Sequence, residues 1–276
     1  MAVFEQRNFV LTLSFINGFS QSGCVAFMLQ EVLAIFTMNA LLTSLYVLPF
    51  PIAAIVGAAV AAALTYKLKE FRAVATGMAA TLTLGADIFA VIRPHISYAA
   101  FFFPCALAGF ATGGFGMIVP VLATLSTPNH LIATSVAFCY ATQDLGGAAG
   151  IAIFSTVLTT KLKRYITATL VPALIEAGLP LTSVQPLLAD FATGDAAAIA
   201  EIPGLTPTVP DVLQVSDLTV EADSFRYIWY SMTSFAAVAM IIAALIQPTA
   251  GRVTSEVAFA VEDTVQHVPE AKEIAM

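Results

Sequence analysis

Charged residues are scarce in this sequence. Only 11% of its 276 residues are Asp, Glu, Lys or Arg, whereas about 25% is usual in a soluble domain. Hydrophobic residues make up 59% of the chain, and the mean hydropathy is +0.88. So few polar side chains cannot cover a globule in water. The composition therefore excludes an ordinary soluble fold and indicates a chain whose main partner is the lipid bilayer.

Basic clusters and paired cysteines are also lacking. The net charge is -7 and no run of Lys or Arg occurs, which excludes a nucleic-acid-binding surface. Cys24, Cys105 and Cys139 each fall inside an apolar run, and none belongs to a CxxC pair. We expect these thiols to act as small apolar packing groups.

Signatures of catalysis and metal binding are missing as well. The sequence contains no GxSxG, P-loop or HExxH motif. His95, His130 and His267 are scattered without metal-ligand spacing. We therefore predict no catalytic residue, no cofactor and no metal, and we expect that the protein is not an enzyme or an ATP-driven pump.

Long apolar runs are what the sequence does contain. A helix needs about 20 mainly apolar residues to cross the hydrocarbon core. Six runs meet this length, at about 9–33, 41–65, 73–92, 98–124, 132–159 and 227–247. Backbone polar groups in lipid must be satisfied within the segment, so each run is predicted to be a helix. The predicted fold class is an all-α membrane protein with six transmembrane helices.

One connection is long. Residues 160–226 contain eight acids and several prolines, and we expect them to form an extracellular loop. A helical stretch is predicted from Arg164 to Gly178, ending at a Gly-Leu-Pro step, and a second near 187–201. The polar residues 249–276 are predicted to form a cytoplasmic tail.

Orientation follows from the basic residues of the short connections. If the N-terminus is inside, the cytoplasmic side holds Arg7, Lys67, Lys69, Arg72, Arg252 and Lys272. A short outer connection holds Arg93, while the basic residues after the fifth run belong to the long loop, whose translocation depends little on charge. Both termini are predicted to be cytoplasmic, in a multi-pass protein of the plasma membrane. Six helices with this topology can form two inverted three-helix units.

Two glycine stripes predict close helix packing. The fourth run carries Gly109, Gly113 and Gly116, and the fifth carries Gly146 and Gly150. Small residues at this spacing let helix backbones approach in lipid. We expect the fourth and fifth helices to pack against each other through these stripes.

Polar side chains inside the runs are the candidate pathway residues. Asp144 lies near the middle of the fifth run beside Gln143, on a face of small residues that is expected to turn inward. The first run carries a polar stripe of Ser14, Asn17, Gln21, Cys24, Met28 and Glu31. From these positions we select Asn17, Gln21, Gln143 and Asp144 as a substrate and proton pathway, with structural hydrogen bonding between helices as the alternative.

Short motifs give the chain a family resemblance. They are the Gln30-Glu31-Val32-Leu33 to Leu48-Pro49 segment, Leu145-Gly146-Gly147-Ala148-Ala149-Gly150, Ala177-Gly178-Leu179-Pro180, Ile202-Pro203-Gly204, Phe225-Arg226-Tyr227-Ile228-Trp229-Tyr230 and Thr254 to Ala258. In their order and spacing they resemble the last six helices of 14-helix major-facilitator drug exporters, among them the fungal trichothecene efflux pump family and its siderophore-transporter relatives. Gln143 stands where those relatives usually have Arg.

The resemblance implies a function. It implies proton-coupled export of small amphipathic molecules such as toxins or drugs, by alternating access between two halves. It also implies a missing N-terminal half of six to eight helices, or a second copy, as partner. The alternatives are a siderophore-type uptake transporter and a non-transporting membrane scaffold or partner subunit.

Overall fold

The described part of the chain is helical. The computed structural model describes residues 2–36, 39–92, 98–176, 178–180, 182–184, 186 and 209–246, and no strand occurs among them. Its helices are α1 (Ala2–Ile35), α2 (Ala40–Val47), α3 (Pro49–Leu68), α4 (Phe71–Phe89), α5 (Tyr98–Leu125), α6 (Ile132–Tyr165), α7 (Val171–Glu176) and α8 (Val209–Leu245). A 3-10 turn at Asn129–Leu131 precedes α6, and a π-helical turn at Ile166–Leu170 joins α6 to α7.

Within these ranges, five helical segments are long and apolar enough to cross a membrane. They are Arg7–Ile35, Leu41–Leu68, Ala100–Leu125, Ile132–Glu176 and Leu218–Leu245. They match five of the six predicted runs, so the chain has the character of a helical membrane protein. The predicted run 73–92 corresponds to α4, which has 19 residues and carries Arg72 and Asp87 near its two ends. It does not belong to the five.

Two pairs of helices pack backbone to backbone. In the first pair, Gly146 and Gly150 of α6 meet the backbone of Phe15 and Phe19 of α1. In the second, Gly109 and Gly113 of α5 meet that of Phe50 and Ala54 of α3 in the same way. Residue numbers rise together along both contacts, so α1 runs parallel to α6 and α3 runs parallel to α5.

The helix α4 packs between α5 and α8, where aromatic rings fill the core. The ring of Phe89 stacks on Trp229 at 4.4 Å between centroids and meets Phe101 edge-on at 5.1 Å. At the end of α4, Arg226 Nε donates to the carbonyl of Ala90 at 3.0 Å. A helix end leaves carbonyls without intrahelical partners, so Arg226 satisfies one of them and ties α8 to α4.

The helices extend further into segment 160–226 than predicted. The fifth run was expected to end at 159, with a separate helical stretch from Arg164 to Gly178, but α6 continues to Tyr165 and the helical path runs on without a break to Glu176. The sixth was expected to begin at 227, but α8 begins at Val209. A hydrophobic cluster of Leu170, Leu174, Leu179, Val184 and Val220 packs these extensions together. A helix can continue beyond the lipid as long as it has such tertiary contacts.

The predicted stop of the first helical stretch is seen at Gly178. The amide of Gly178 donates to the carbonyl of Ile175, and that of Leu179 donates to Leu174, both at 3.0 Å. The φ angle of Gly178 is 97°, a conformation that glycine adopts without strain. Together these features form a Schellman motif, which ends a helix. The second predicted stretch, 187–201, and the tail 249–276 lie outside the described residues.

Candidate functional site: a polar groove between α1 and α6

A groove on the surface of the bundle contains three of the four predicted pathway residues. Gln143 Nε2 of α6 donates to Gln21 Oε1 of α1 at 3.0 Å, and Asp144 follows in the chain. The groove has a volume of about 440 Å³ and is lined by Gly18, Gln21, Ser22, Val25, Ala26, Gln143, Asp144 and Ile151. It thus combines two carboxamides, a hydroxyl and a carboxyl on an otherwise apolar wall.

Glycine allows α1 and α6 to come this close. A Cβ atom at Gly18 would overlap the carbonyl of Gln143, and one at Gly146 would overlap that of Phe15. Ser14 Oγ also donates to the carbonyl of Cys139 at 2.5 Å. The backbones therefore touch along the contact, which brings the two glutamine side chains within hydrogen-bonding distance.

The face that carries Asp144 points out of the bundle, contrary to the prediction. Asp144 is exposed, and so are its face neighbours Ala133, Ala137, Tyr140, Ala148 and Ser155. The side of α6 that meets the bundle is instead the glycine side, where Gly146, Gly147 and Gly150 are buried. Glycine permits a closer backbone approach than alanine or serine, which explains why the glycine side was preferred.

The depth of Asp144 along α6 determines what can surround this exposed face. The residue lies about 18 Å along α6 from Ile132, at 1.5 Å per residue. The hydrocarbon core of a bilayer is about 30 Å thick, so a helix that enters the core at Ile132 has this carboxyl near the middle of the membrane. A carboxylate at that depth requires water or polar protein around it.

Asn17 does not join the groove. Its side chain is 2% exposed and turns into the bundle, and neither of its amide atoms has a hydrogen-bond partner among the described residues. The hydroxyl of Ser20, also buried on α1, lacks a partner there as well. Buried polar groups of this kind are commonly satisfied by internal water. Asn17 thus lies apart from the proposed pathway surface.

The glycines of α5 contact a different helix from the one expected. Gly109 and Gly113 lie against α3 and not against α6. Gly116 is exposed, and a Cβ atom there would meet nothing within 4 Å. Only two of the three glycines of this stripe, Gly109 and Gly113, therefore pack against another helix. This arrangement leaves α6 free to pair with α1.

A buried carboxyl that was not selected from the sequence lies at the other end of α1. Glu31 is 2% exposed, and its Oε2 accepts a hydrogen bond from Trp229 Nε1 at 2.9 Å. An acid within an apolar run is by itself an indication of a functional site, so Glu31 could have been selected from the sequence. However, Glu31 lies only four residues before the end of α1, where side chains commonly extend to the headgroups.

The remaining candidates for chemistry are dispersed. In the part of the chain that the structure describes, no three His, Cys, Asp or Glu side chains come together as metal ligands. Cys24, Cys105 and Cys139 are free buried thiols. Cys24 Sγ contacts Met232 Sδ at 3.6 Å, which agrees with the expected packing role.

Comparison with known proteins gives no family. No protein-family model matches the chain, and a search of curated proteins finds no significant match.

Proposed function

We propose that this chain is one six-helix unit of a secondary transporter of the major-facilitator type, which exports small amphipathic molecules by proton-coupled alternating access. The observation that carries the proposal is the exposed polar groove at mid-membrane depth. Gln21, Gln143 and Asp144 lie together there on the outside of the bundle. The groove combines hydrogen-bonding groups for a substrate with an acid for a proton.

Energetics argue against lipid as the surroundings of this groove. A charged side chain at the centre of a transmembrane helix costs about 2.5–3.5 kcal/mol on insertion scales. By contrast, α3 presents an exposed surface of Ile52, Ile55 and Val56, which suits lipid or an apolar interface. A second six-helix unit facing α1 and α6 would enclose the groove and let water in. That unit is either a second copy or a further polypeptide segment.

The packing pattern supports two inverted three-helix units. If α1, α3 and α4 correspond to α5, α6 and α8, then the parallel pair α1 with α6 corresponds to α5 with α3. In both pairs, each helix contributes glycine to the backbone contact: Gly18 of α1 with Gly146 and Gly150 of α6, and Gly109 and Gly113 of α5 with Gly57 of α3. Such nested repeats are a property of transporter halves. They support a rigid unit that rocks against a partner with both termini on the cytoplasmic side of the plasma membrane.

In this mechanism the groove residues have separate tasks. Gln21 and Gln143 hold each other in the absence of substrate and can exchange this hydrogen bond for one to a polar substrate group. Asp144 supplies the carboxyl that we assign to proton coupling, since an acid at this depth needs water or polar protein around it. The change of hydration during alternating access then couples proton movement to substrate movement.

Transport by the reconstituted chain tests the proposal. The full chain is placed in proteoliposomes, alone and together with any second unit encoded with it, and a pH gradient is imposed. Wild type should move fluorescent amphipathic cations in a gradient-dependent manner. Asp144→Asn should lose the gradient dependence, whereas the matched acid control Asp87→Asn should keep it, since Asp87 accepts its hydrogen bond from Thr233 away from the groove. Folded protein without gradient-dependent flux in either format would support the scaffold alternative.

A further inference from the structure

A basic and aromatic cavity lies where α6 and α8 meet, away from the groove. Its volume is about 260 Å³, and the described residues that line it are Lys161, Arg164, Tyr165, Ala168, Thr169 and Tyr227. Lys161 Nζ lies 3.6 Å from the centroid of the Tyr227 ring, a cation–π contact. The hydroxyls of Tyr165 and Tyr227 are 3.3 Å apart. The cavity therefore presents two cations and three hydroxyl groups on a small surface.

Acidic groups do not occupy this lining. The six described lining residues include no carboxylate. The closest acid along α8, Asp223, is bonded to Arg226 at 3.2 Å. Arg226 in turn donates to the carbonyl of Ala90, so this ion pair is held at the end of α4. Asp223 is near enough to act electrostatically on Tyr165, but within the described ranges neither Lys161 nor Arg164 forms an ion pair with a carboxylate. Their positive charge can therefore bind an anion from outside.

The depth of the cavity identifies the kind of anion. Lys161 Nζ contacts the ring of Tyr227 at 3.6 Å, so the depth of Tyr227 gives the depth of the cavity. A bilayer including its headgroup regions is about 40–45 Å thick. Tyr227 lies about 27 Å along α8 from Leu245, at 1.5 Å per residue, which is close to the edge of a hydrocarbon core. The cavity is therefore at the level of the lipid headgroups.

We propose that this cavity binds the phosphate of an anionic phospholipid headgroup, in the leaflet at this end of α6. Arg164 and Lys161 supply charge-assisted hydrogen bonds to the phosphate oxygens. The hydroxyls of Thr169 and the two tyrosines add further donors. The acyl chains of the lipid then extend along the outside of α6 towards the membrane centre, so the lipid joins α6 to α8. This site is independent of transport.

The chain offers a matched control for the two cations. Lys163 carries the same charge at the same level of α6, but it is exposed and does not line the cavity. At 100° per residue it lies on the opposite side of the helix from Lys161. If anionic lipid were attracted nonspecifically by basic residues, removing the charge of Lys163 would weaken binding as much as removing that of Lys161. Binding in the cavity itself should not depend on Lys163.

The test measures lipid binding by the purified, delipidated full chain. Phosphatidylglycerol, phosphatidylcholine or inorganic phosphate is titrated while thermal unfolding is followed, because a ligand of the folded state raises the unfolding temperature. Wild type and Lys163→Gln should be stabilised most by phosphatidylglycerol. Each charge lost at Lys161→Gln or Arg164→Gln should weaken binding about fivefold, and their combination about 25-fold. Equal weakening by Lys163→Gln would overturn the site, and equal stabilisation by inorganic phosphate would overturn its assignment to lipid.

A second measurement does not depend on the variants. A photoreactive phosphatidylglycerol added to wild-type protein in vesicles should cross-link to peptides that contain residues 161–169 or Tyr227. Cross-links spread evenly over all membrane-facing peptides would contradict the proposal.

Discussion

Trp229 Nε1 of α8 donates a hydrogen bond to Oε2 of Glu31 in α1, at 2.9 Å, and both side chains are buried. The indole ring is held in place by its stack on Phe89 of α4. Three helices therefore meet at one polar contact in an apolar interior. A buried polar group costs little only as long as its partner remains, so this contact should determine which substitutions the bundle tolerates.

Glu31→Gln should be tolerated and Glu31→Ala should not. Glutamine retains a carbonyl acceptor for the indole N–H and should change stability by less than about 1 kcal/mol. Alanine leaves that donor unpaired, which costs about 1–3 kcal/mol. Thermal unfolding in detergent measures both. As a control, Trp229→Phe removes the donor and keeps an aromatic ring, and Glu31→Ala should then cost less in that background. An equal cost in both backgrounds would mean that the hydrogen bond contributes nothing.

Leucine at the packing glycines should separate the helices. Gly113→Leu forces α5 away from α3, and Gly146→Leu forces α6 away from α1, because each new side chain would overlap backbone. Overpacking of this kind costs about 1–3 kcal/mol or more. Gly116→Leu is the matched control, since its position is open. The fraction of monodisperse folded protein after purification is the measurement. A Gly116→Leu defect as large as that of Gly113→Leu would contradict the packing assignment.

The orientation of the chain can be read from two cysteine substitutions. The native thiols are buried, so a new cysteine should dominate labelling. Glu176→Cys at the end of α7 is expected to react with a membrane-impermeant maleimide on intact cells. Lys69→Cys, in the turn between α3 and α4, is expected to react only after permeabilisation. The reverse pattern would place both termini outside.

Helix existence was predictable from sequence, but helix length was not. An apolar run of about 20 residues is itself the physical requirement for crossing a bilayer, which is why the runs at 9–33 and 98–124 fall within α1 and α5. The residues beyond 159 and those before 227 form no apolar run of that length, and of the helix observed there only the part from Arg164 was predicted, from its Gly-Leu-Pro ending. These segments are held in place by the hydrophobic cluster that contains Leu174 of α7 and Val220 of α8. Such contacts join segments far apart in sequence.

The side of each helix that faces the bundle was also not predictable from the sequence. Helical periodicity correctly groups Asp144 with Ala148 and Ser155, but it does not say which side of α6 meets the bundle. Two sides of this helix have small residues, and the glycine side packs because it gives the shorter backbone distance. Likewise, the pairing of Gln143 with Gln21 and of Glu31 with Trp229 joins positions more than 100 residues apart. Neither pairing has a local sequence signal.

Water access along α6 is the prediction that separates a pathway from a lipid-facing surface. If the Asp144 face lines a hydrated path, cysteines at Asp144 and Ala148 should react rapidly with a small charged methanethiosulfonate reagent in vesicles, because the reactive thiolate forms only where water is present. Ile55→Cys is the control, since Ile55 is 74% exposed on the apolar surface of α3 and should be shielded by hydrocarbon. Excess amphipathic cation should slow the reaction at Asp144→Cys if it occupies the groove. Equal, slow labelling at all three positions would mean that lipid covers both faces, and the groove would then have no role in transport. Rapid labelling at Ile55 as well would instead mean that α3 also faces water.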